Sequence, residues 1–281
     1  MDKDVYAYLF CSLYPGRTLV FVNAIACARR LGALLTLLRV PATPLHAQMQ
    51  QRQRLKSLDR FTANDKAVMV ATDVAARGLD IPKVEHVVHY DAARSPDVFI
   101  HRSGRTARAN SPGLALSIVA PKDASAHQET CRILGLGPGG LGGMEAFPLE
   151  AKMVDRARER VGLAVTVLKH QEHQSCAAAS NDFFRGMSHD ADLEMDSDLL
   201  DTSQGEPPEH GGKSGKGGRH AARLAAEARS ALEASLSHPL HMDRRKIIPV
   251  AEAVLDMHRA SQRTAMGDLT RKRGGKTHGD Q

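Results

Sequence analysis

Over the first 120 or so residues, short apolar runs alternate with stretches whose apolar positions recur every three to four residues. The short runs are Thr18–Val22, Thr43–Leu45, Ala67–Ala71, Val84–His89 and Leu114–Val119. Apolar, β-branched runs bounded by turn residues predict buried strands. Between them lie helical patterns. Asp2–Leu13 sets Val5, Leu9 and Leu13 on one face, and Pro15-Gly16 ends it. Ile25–Leu38 does the same with Cys27, Leu31, Leu34, Leu35 and Leu38. Gln51–Phe61 turns Leu55, Leu58 and Phe61 inward, and Pro96–Arg105 places a proline in its first turn. Strands alternating with helices predict an α/β fold, a parallel sheet with helices on both faces.

Beyond residue 123 the pattern becomes helical. Asp123–Leu134 is a predicted helix and Gly135–Gly143 a flexible loop. Gly135, Gly137 and Gly140 spell G-x-G-x-x-G, but a helix precedes them and a proline interrupts them, whereas the dinucleotide motif follows a strand and opens a helix. Glu150–Gln171 carries a stripe of Met153, Ala157, Val161, Ala164 and Leu168, which predicts a helix packed back on the sheet. Ser197–Gly218 is polar and Gly/Pro/Lys-rich, a linker or disordered segment. Arg219–Leu236 and Val250–Arg263 are further predicted helices. The organisation expected is a sheet domain over 1–123, a helical extension over 124–174 that packs on it, and a partly disordered tail with short helices over 175–281.

Composition narrows the picture modestly. Trp is absent and aromatics make up 4% of the 281 residues, so the core is aliphatic. No apolar run approaches the ~20 residues of a membrane span, and MDKDVYAY has no signal-peptide pattern, so no membrane partner is expected. Cys11, Cys27, Cys131 and Cys176 show no paired spacing and read as reduced thiols. His170, His173 and Cys176 recur every three residues without a fourth ligand at a known spacing, and no metal is assigned to them. Charge is unevenly placed. Residues 1–123 hold 17 Lys and Arg against 10 Asp and Glu; 182–209 hold nine acids and one Arg; 210–281 hold 14 basic against seven acidic residues. A basic folded unit with a basic tail, RKRGGK at Arg271–Lys276, suits a partner bearing phosphates.

Candidate chemistry concentrates between residues 67 and 109. The run Ala67–Ala71 breaks into Thr72-Asp73 and then Arg77-Gly78-Leu79-Asp80; His101-Arg102-Ser103-Gly104-Arg105-Thr106-Ala107-Arg108 follows about twenty residues later. Open α/β sheets bind ligands at the carboxyl ends of their strands. Arg105 and Arg108, three apart, are expected on one side of a helical turn, converging on one anion.

TDVAARGLDIP resembles motif V of the DEAD-box RNA helicases, and HRSGRTAR resembles their motif VI. The resemblance covers about residues 1–123 and implies the second of that family's two RecA-like domains. No G-x-x-x-x-G-K-[ST] phosphate loop and no D-E-A-D run occurs in the sequence. The first RecA-like domain, with the phosphate loop and the Mg²⁺ ligands, is therefore expected from elsewhere, and this chain alone is expected to be inactive. The resemblance implies ATP with Mg²⁺ as cofactor. It implies arginine fingers at Arg105 and Arg108, a ribose contact at Asp80 beside the tight turn of Gly78, and an interdomain contact at Arg102 with His101 positioning. It implies RNA phosphate contacts at Asn23, Gln51, Arg54 and Thr72, the Gln51/Arg54 pair matching Q-x-x-R. Where the family has His-Gly-Asp after the second strand, this chain has His46-Ala47-Gln48, and a family glycine of motif VI is Ala107. HRSGRTARA followed by a long helical, basic extension is most similar to the branch acting in large ribosomal subunit assembly. That implies ribosomal RNA as partner and the nucleus, specifically the nucleolus, as location. A non-catalytic module that binds RNA or another helicase domain is the alternative; a DNA helicase of the wider superfamily is disfavoured by the closeness of TDVAARGLDIP to the RNA branch.

Overall fold

The computed structural model describes residues 2–76, 81, 84–107, 113–136, 147, 149–191 and 215–240; for 175–191 and 215–219 it describes the backbone course alone. The expected elements at Gly137–Gly143, Val250–Arg263 and Arg271–Lys276 lie outside these residues, as do 192–214 and the side chain of Cys176.

Five parallel strands form one sheet: β1 Thr18–Val22, β2 Ala42–Leu45, β3 Val68–Thr72, β4 His86–His89 and β5 Leu114–Ser117, in the order β2-β3-β1-β4-β5. The expected α/β parallel sheet is thus present. Side chains alternate across it. Val20, Val22, Val68, Val70 and Val88 face one core cluster, and Leu19, Phe21, Met69, Ala71 and Val87 face the other. The first cluster is closed by helices α1 Asp2–Leu13 and α2 Ile25–Leu37; the second is closed by α3 Gln51–Ala63 and the short α4 Asp73–Ala76. Helix α5, Pro96–Ser103, follows β4 on this second face, where its Phe99 stacks on His89 at 4.6 Å. The connection leaving β1 therefore crosses one face toward β2, and the connection leaving β4 crosses the other toward β5. Between β1 and β4 the sheet has its topological switch point.

A buried polar knot joins α1 and α2 to the end of β4. Asp4, 3% exposed, accepts from both Arg30 guanidinium nitrogens (3.0 and 2.9 Å) and from the Tyr90 hydroxyl (2.8 Å). Burial and then the adjacent Asp4 carboxylate raise the Tyr90 phenol far above its ordinary value, so it stays a donor.

A 3-10 turn at Pro121–Asp123 leads into α6, Ala124–Ile133. Helix α7 begins at Ala151 and runs 41 residues to Ala191, well past the expected end at Gln171. Its Ala157, Val161, Ala164 and Leu168 are buried and Met153 is half-buried, as the stripe implied. Helix α8, Gly215–Ser237, starts inside the expected linker and buries Ala225, Ala228 and Leu232. The two helices lie against one another, and α7 packs on α1 and α2. Arg160, 5% exposed, joins the three: its guanidinium donates to the Tyr8 hydroxyl (3.2 Å), to Ser235 Oγ (3.1 Å) and to the Ser235 carbonyl (2.6 Å).

Three further expectations are corrected. Leu55 is 48% exposed, because α3 turns Ser57 and Phe61 inward instead. Helix α5 stops at Ser103 rather than Arg105. There the turn tightens to i→i−3 bonds, Arg105 N–H to the Arg102 carbonyl and Thr106 N–H to the Ser103 carbonyl, and Thr106 is drawn into a parallel bridge with Val84. Val84 itself lies outside β4, which begins at His86.

Replacing Arg160 with Ala is expected to lower unfolding stability by about 3 kcal/mol, since charged hydrogen bonds are lost and buried acceptors are left unpaired. Urea denaturation reads this directly, and limited proteolysis should show faster cleavage within 215–240. An unchanged urea midpoint would mean that α8 is not held by this residue.

Candidate functional site

The ends of β1, β3 and β4 converge on one side chain. Arg102 is 1% exposed, and all three nitrogens of its guanidinium donate hydrogen bonds. Its Nε and Nη2 donate to the two Asp73 carboxylate oxygens at 2.6 and 2.7 Å. Nη2 also donates to Asn23 Oδ1 (2.8 Å), and Nη1 donates to the Asp91 carbonyl (2.7 Å). The group lies 5.2 Å from the Phe21 ring centroid. Asn23 follows β1, Asp73 follows β3, and Asp91 follows β4 by two residues, so one planar fork bridges three strand ends across the switch point.

The partners are fixed in turn. Asn23 donates its backbone N–H to Asp91 Oδ2 (2.9 Å) and its side-chain amide to the Ala92 carbonyl (3.1 Å). Asp91 also meets Lys3 (3.5 Å). Below the fork, His89 bonds to the Ser103 hydroxyl at 3.1 Å and stacks on Phe99. Burial and then the Arg102 charge pull His89 from its ordinary value near 6.5 down to about 3, so the ring is neutral throughout the physiological range.

His101 is exposed and Arg105 half-buried, and both open on a small crevice shared with Asp73, Ala76 and Val98. Its volume is about 20 Å³, room for about one water, whereas pockets that enclose a ligand hold ~300 Å³ or more. The crevice is one wall of a site. Arg105 is held by the tightened end of α5. Thr106 donates to the Val84 and Glu85 carbonyls (2.7 and 2.8 Å), and Ala107 turns the chain with φ +55°. An alanine there carries a left-handed penalty of about 1 kcal/mol that glycine avoids. Gly113 permits this packing, since a Cβ on it would lie 2.2 Å from Thr106 Oγ1.

The rim continues past β3. Thr72 is buried at the strand end, Gln51 is exposed in the first turn of α3, and Arg54 reaches across to the Ala75 carbonyl (3.3 Å). Arg54 Nε has no partner among the described residues. Gln51, Arg54 and Thr72 are thus brought together. Asn23 stands apart from them, with both ends of its side chain bonded within the Arg102 knot. Arg102, expected at a contact between domains, is an internal strut. Arg105 follows the end of α5 rather than lying within it, so the expected helical setting is corrected at this residue. Gly78, Asp80 and Arg108 lie outside the described residues. Sequence reasoning missed Asp73, Asp91, His89 and Ser103 as members of the knot. Asp73 stood in the quoted Thr72-Asp73 turn, but nothing local marks it as a partner of Arg102.

Two outcomes are expected. Arg102→Lys keeps a charge but cannot span three acceptors, and should lower stability by about 3 kcal/mol in urea titrations, as for a broken buried pair. His89 makes stability pH-dependent. Its folded pKa lies below its unfolded one, so the unfolded state binds the extra proton between pH 6.5 and about 3. Stability should therefore be unaffected above that window and fall by up to about 1.4 kcal/mol per pH unit within it. In His89→Asn, the slope of unfolding free energy against pH between about 4 and 6 should drop by that amount; an identical slope would refute the assignment.

Similarity to known proteins agrees with this geometry. The helicase conserved C-terminal domain family matches residues 3–110. The ATP-dependent RNA helicase ddx24 of Dictyostelium discoideum is 37% identical over 286 residues, covering 96% of this chain and 28% of that protein. Human ATP-dependent RNA helicase DDX24 is 39% identical over 198 residues, covering 70% of this chain and 23% of that protein. ATP-dependent RNA helicase MAK5 of Eremothecium gossypii is 39% identical over 211 residues, covering 70% and 28%. Among solved structures, the E. coli DEAD-box protein SrmB is 33% identical, with 53% of this chain and 91% of that chain covered and a TM-score of 0.45. The chain spans about a quarter of the length of these three helicases. With its parallel RecA-like sheet, its motif residues on one rim and these relatives, this chain belongs to the DEAD-box RNA helicase family, of which it carries the conserved C-terminal domain.

Proposed function

We propose that this chain is the C-terminal half of an ATP-dependent RNA helicase working in ribosomal RNA processing, and that it completes its nucleotide site only against a companion RecA-like domain. The observation that carries the reading is the Arg102 knot, which locks the ends of β1, β3 and β4 and leaves His101 and Arg105 on an open wall. Support for the RNA and ATP parts comes from relatives named ATP-dependent RNA helicases; support for the ribosomal part comes from the resemblance of HRSGRTARA and the long helical extension to the large-subunit branch.

The residues present fit one side of an ATP site. Bound ATP supplies the phosphoryl group that is transferred, with its Mg²⁺ held by the companion domain. Arg105, with Arg108, neutralises charge on the terminal phosphate; arginine suits this because its fork stays charged and meets two oxygens. Asp80, by its match to the family's motif V together with Gly78, accepts from the ribose hydroxyls. On the adjoining part of the rim Gln51, Arg54 and Thr72 take the RNA sugar-phosphate backbone. Arg54 Nε, buried and unpartnered, is the donor that such a phosphate satisfies. Contacts of this kind carry little sequence information. Nucleolar action follows from the ribosomal reading.

Steady-state ATPase of the chain joined to its companion domain, with saturating RNA, tests the assignment. The isolated chain should show no RNA-stimulated turnover. In the joined protein Arg105→Lys should lower kcat by about 10²-fold or more with little change in KM, and Asp80→Ala should act mainly on KM, because a ribose contact is similar in ground and transition states. RNA binding without turnover in the joined protein would instead establish a non-catalytic binding module.

A further inference from the structure

A second cavity lies away from the Arg102 knot. It is a groove of about 420 Å³ along the free edge of β2, between α2 and α3. Helix α3 contributes Gln53, Lys56, Ser57 and Arg60, spaced i, i+3, i+4 and i+7 and so set on one face. Helix α2 contributes Arg29 from the other side, and β2 runs out into His46 between them. Three permanent cations line the groove and no carboxylate does.

Two polar atoms lining it are buried without a partner. They are Thr43 Oγ1 and His46 Nδ1, and His46 as a whole is 4% exposed. The tautomer of His46 follows from its other nitrogen. Arg29 Nε donates to His46 Nε2 at 3.1 Å, so Nε2 is the acceptor and the proton sits on Nδ1. Burial and then the Arg29 charge hold the ring pKa below its ordinary value, in keeping with a neutral imidazole. The same arginine donates to Gln48 Oε1 (2.9 Å), which fixes the His46-Ala47-Gln48 turn. The unpartnered Nδ1–H is therefore a donor, and a buried unpaired donor costs about 1–3 kcal/mol unless something accepts from it. Donors and cations without acids call for a ligand that only accepts and is negatively charged, as a phosphate is.

A polypeptide strand added to this edge fits less well. The Pro41 carbonyl accepts from Val68 N–H, so the polar atoms of Pro41, Thr43 and Leu45 point to β3 and those of Ala42 and Pro44 point outward. Pro44 has no N–H, and the Ala42 carbonyl already accepts from Thr36 Oγ1 (3.2 Å). The edge presents almost nothing for a ladder, and the chemistry of the groove resides in side chains. Its mouth, at His46 and Gln48, adjoins the start of α3, where Gln51 and Arg54 stand on the rim. From Gln53 to Arg60 it follows about 10 Å of helix.

We propose that the groove along the free edge of β2, lined by Arg29, Thr43, His46, Lys56 and Arg60, is a phosphate-binding subsite that takes the RNA backbone as it leaves the strand-end rim. The identity of the ligand as RNA rests on the proposed function; the subsite itself does not. Two measurements on the full chain separate these parts. In an NMR titration with inorganic phosphate, the His46 ring nitrogens should shift saturably, and the shift should vanish in Lys56→Ala/Arg60→Ala, whose two side chains are exposed. No saturable shift in the wild type overturns the subsite, leaving buried water as the only partner of Nδ1. The second measurement is fluorescence anisotropy with single-stranded RNA. For an oligonucleotide of about 12 nucleotides the double variant should bind about tenfold more weakly, with the slope of log affinity against log salt smaller by about 1.4; for one of about five, confined to the rim, it should match the wild type within about twofold. Equal loss at both lengths, or none at either, overturns the RNA path through the groove, and the second result points to an acidic polypeptide. A chain that binds neither oligonucleotide refutes the RNA reading of the protein, while the phosphate titration still decides the subsite.

Discussion

The guanidinium of Arg102, buried against the carboxylate of Asp73, is the interaction on which the functional rim depends. A parallel sheet ends in loops that nothing in the sheet itself aligns, because strand pairing stops where the last residues pair. Here the loop residues after β1, β3 and β4 are tied to one rigid, planar cation. A buried ion pair is a poor source of stability, since both partners must shed water. Its return is geometric. Five donors in a fixed fork allow few arrangements of three strand ends, and the arrangement chosen holds Arg105 beside an open crevice.

That economy explains why the wall is so bare. Arg102, Asn23, Asp73 and Asp91 bond to one another in holding shape, and Arg105 and His101 line the described part of the crevice beside them. Preorganised charge of this kind is most effective where water is excluded. A crevice of about 20 Å³ excludes nothing by itself, so the arrangement suits a surface that is covered by another domain when it works. His89, neutral and stacked beneath α5, keeps the support free of a second charge that would compete with Arg102 for Asp73.

The helical layer serves the opposite face. Helices α1, α2 and α7 seal the first core cluster, and α8 is fastened over α7 through Arg160. Function and reinforcement are thereby separated: the strand-end rim and the β2 groove stay open, while the C-terminal helices add burial where no ligand is expected. The long extension is part of the packed structure as far as its described residues show, rather than an appendage to it.

Periodicity alone determined most of the fold. Five strands and the helices between them were legible because burial forces period two on strands and 3.6 on helices, and the Thr18–Val22 strand and the Asp2–Leu13 helix were correct to the residue. The same local rules placed the Ala157–Leu168 stripe. They also named the rim, since ligand-type residues followed strands. What they could not decide is which of those residues face a ligand and which face each other. Arg102 and Arg105 are three apart and look alike in sequence, yet one is 1% exposed and bonded across three strand ends while the other is only half-buried. Leu55 fitted a helical face, yet α3 buries Ser57 and Phe61 and leaves Leu55 exposed. His46 became a buried donor only because Arg29, seventeen residues earlier in the chain, took its other nitrogen. Each of these outcomes depends on which side chains meet across the fold, and that is decided by how the helices and strands pack, at sequence separations over which local pattern carries no information.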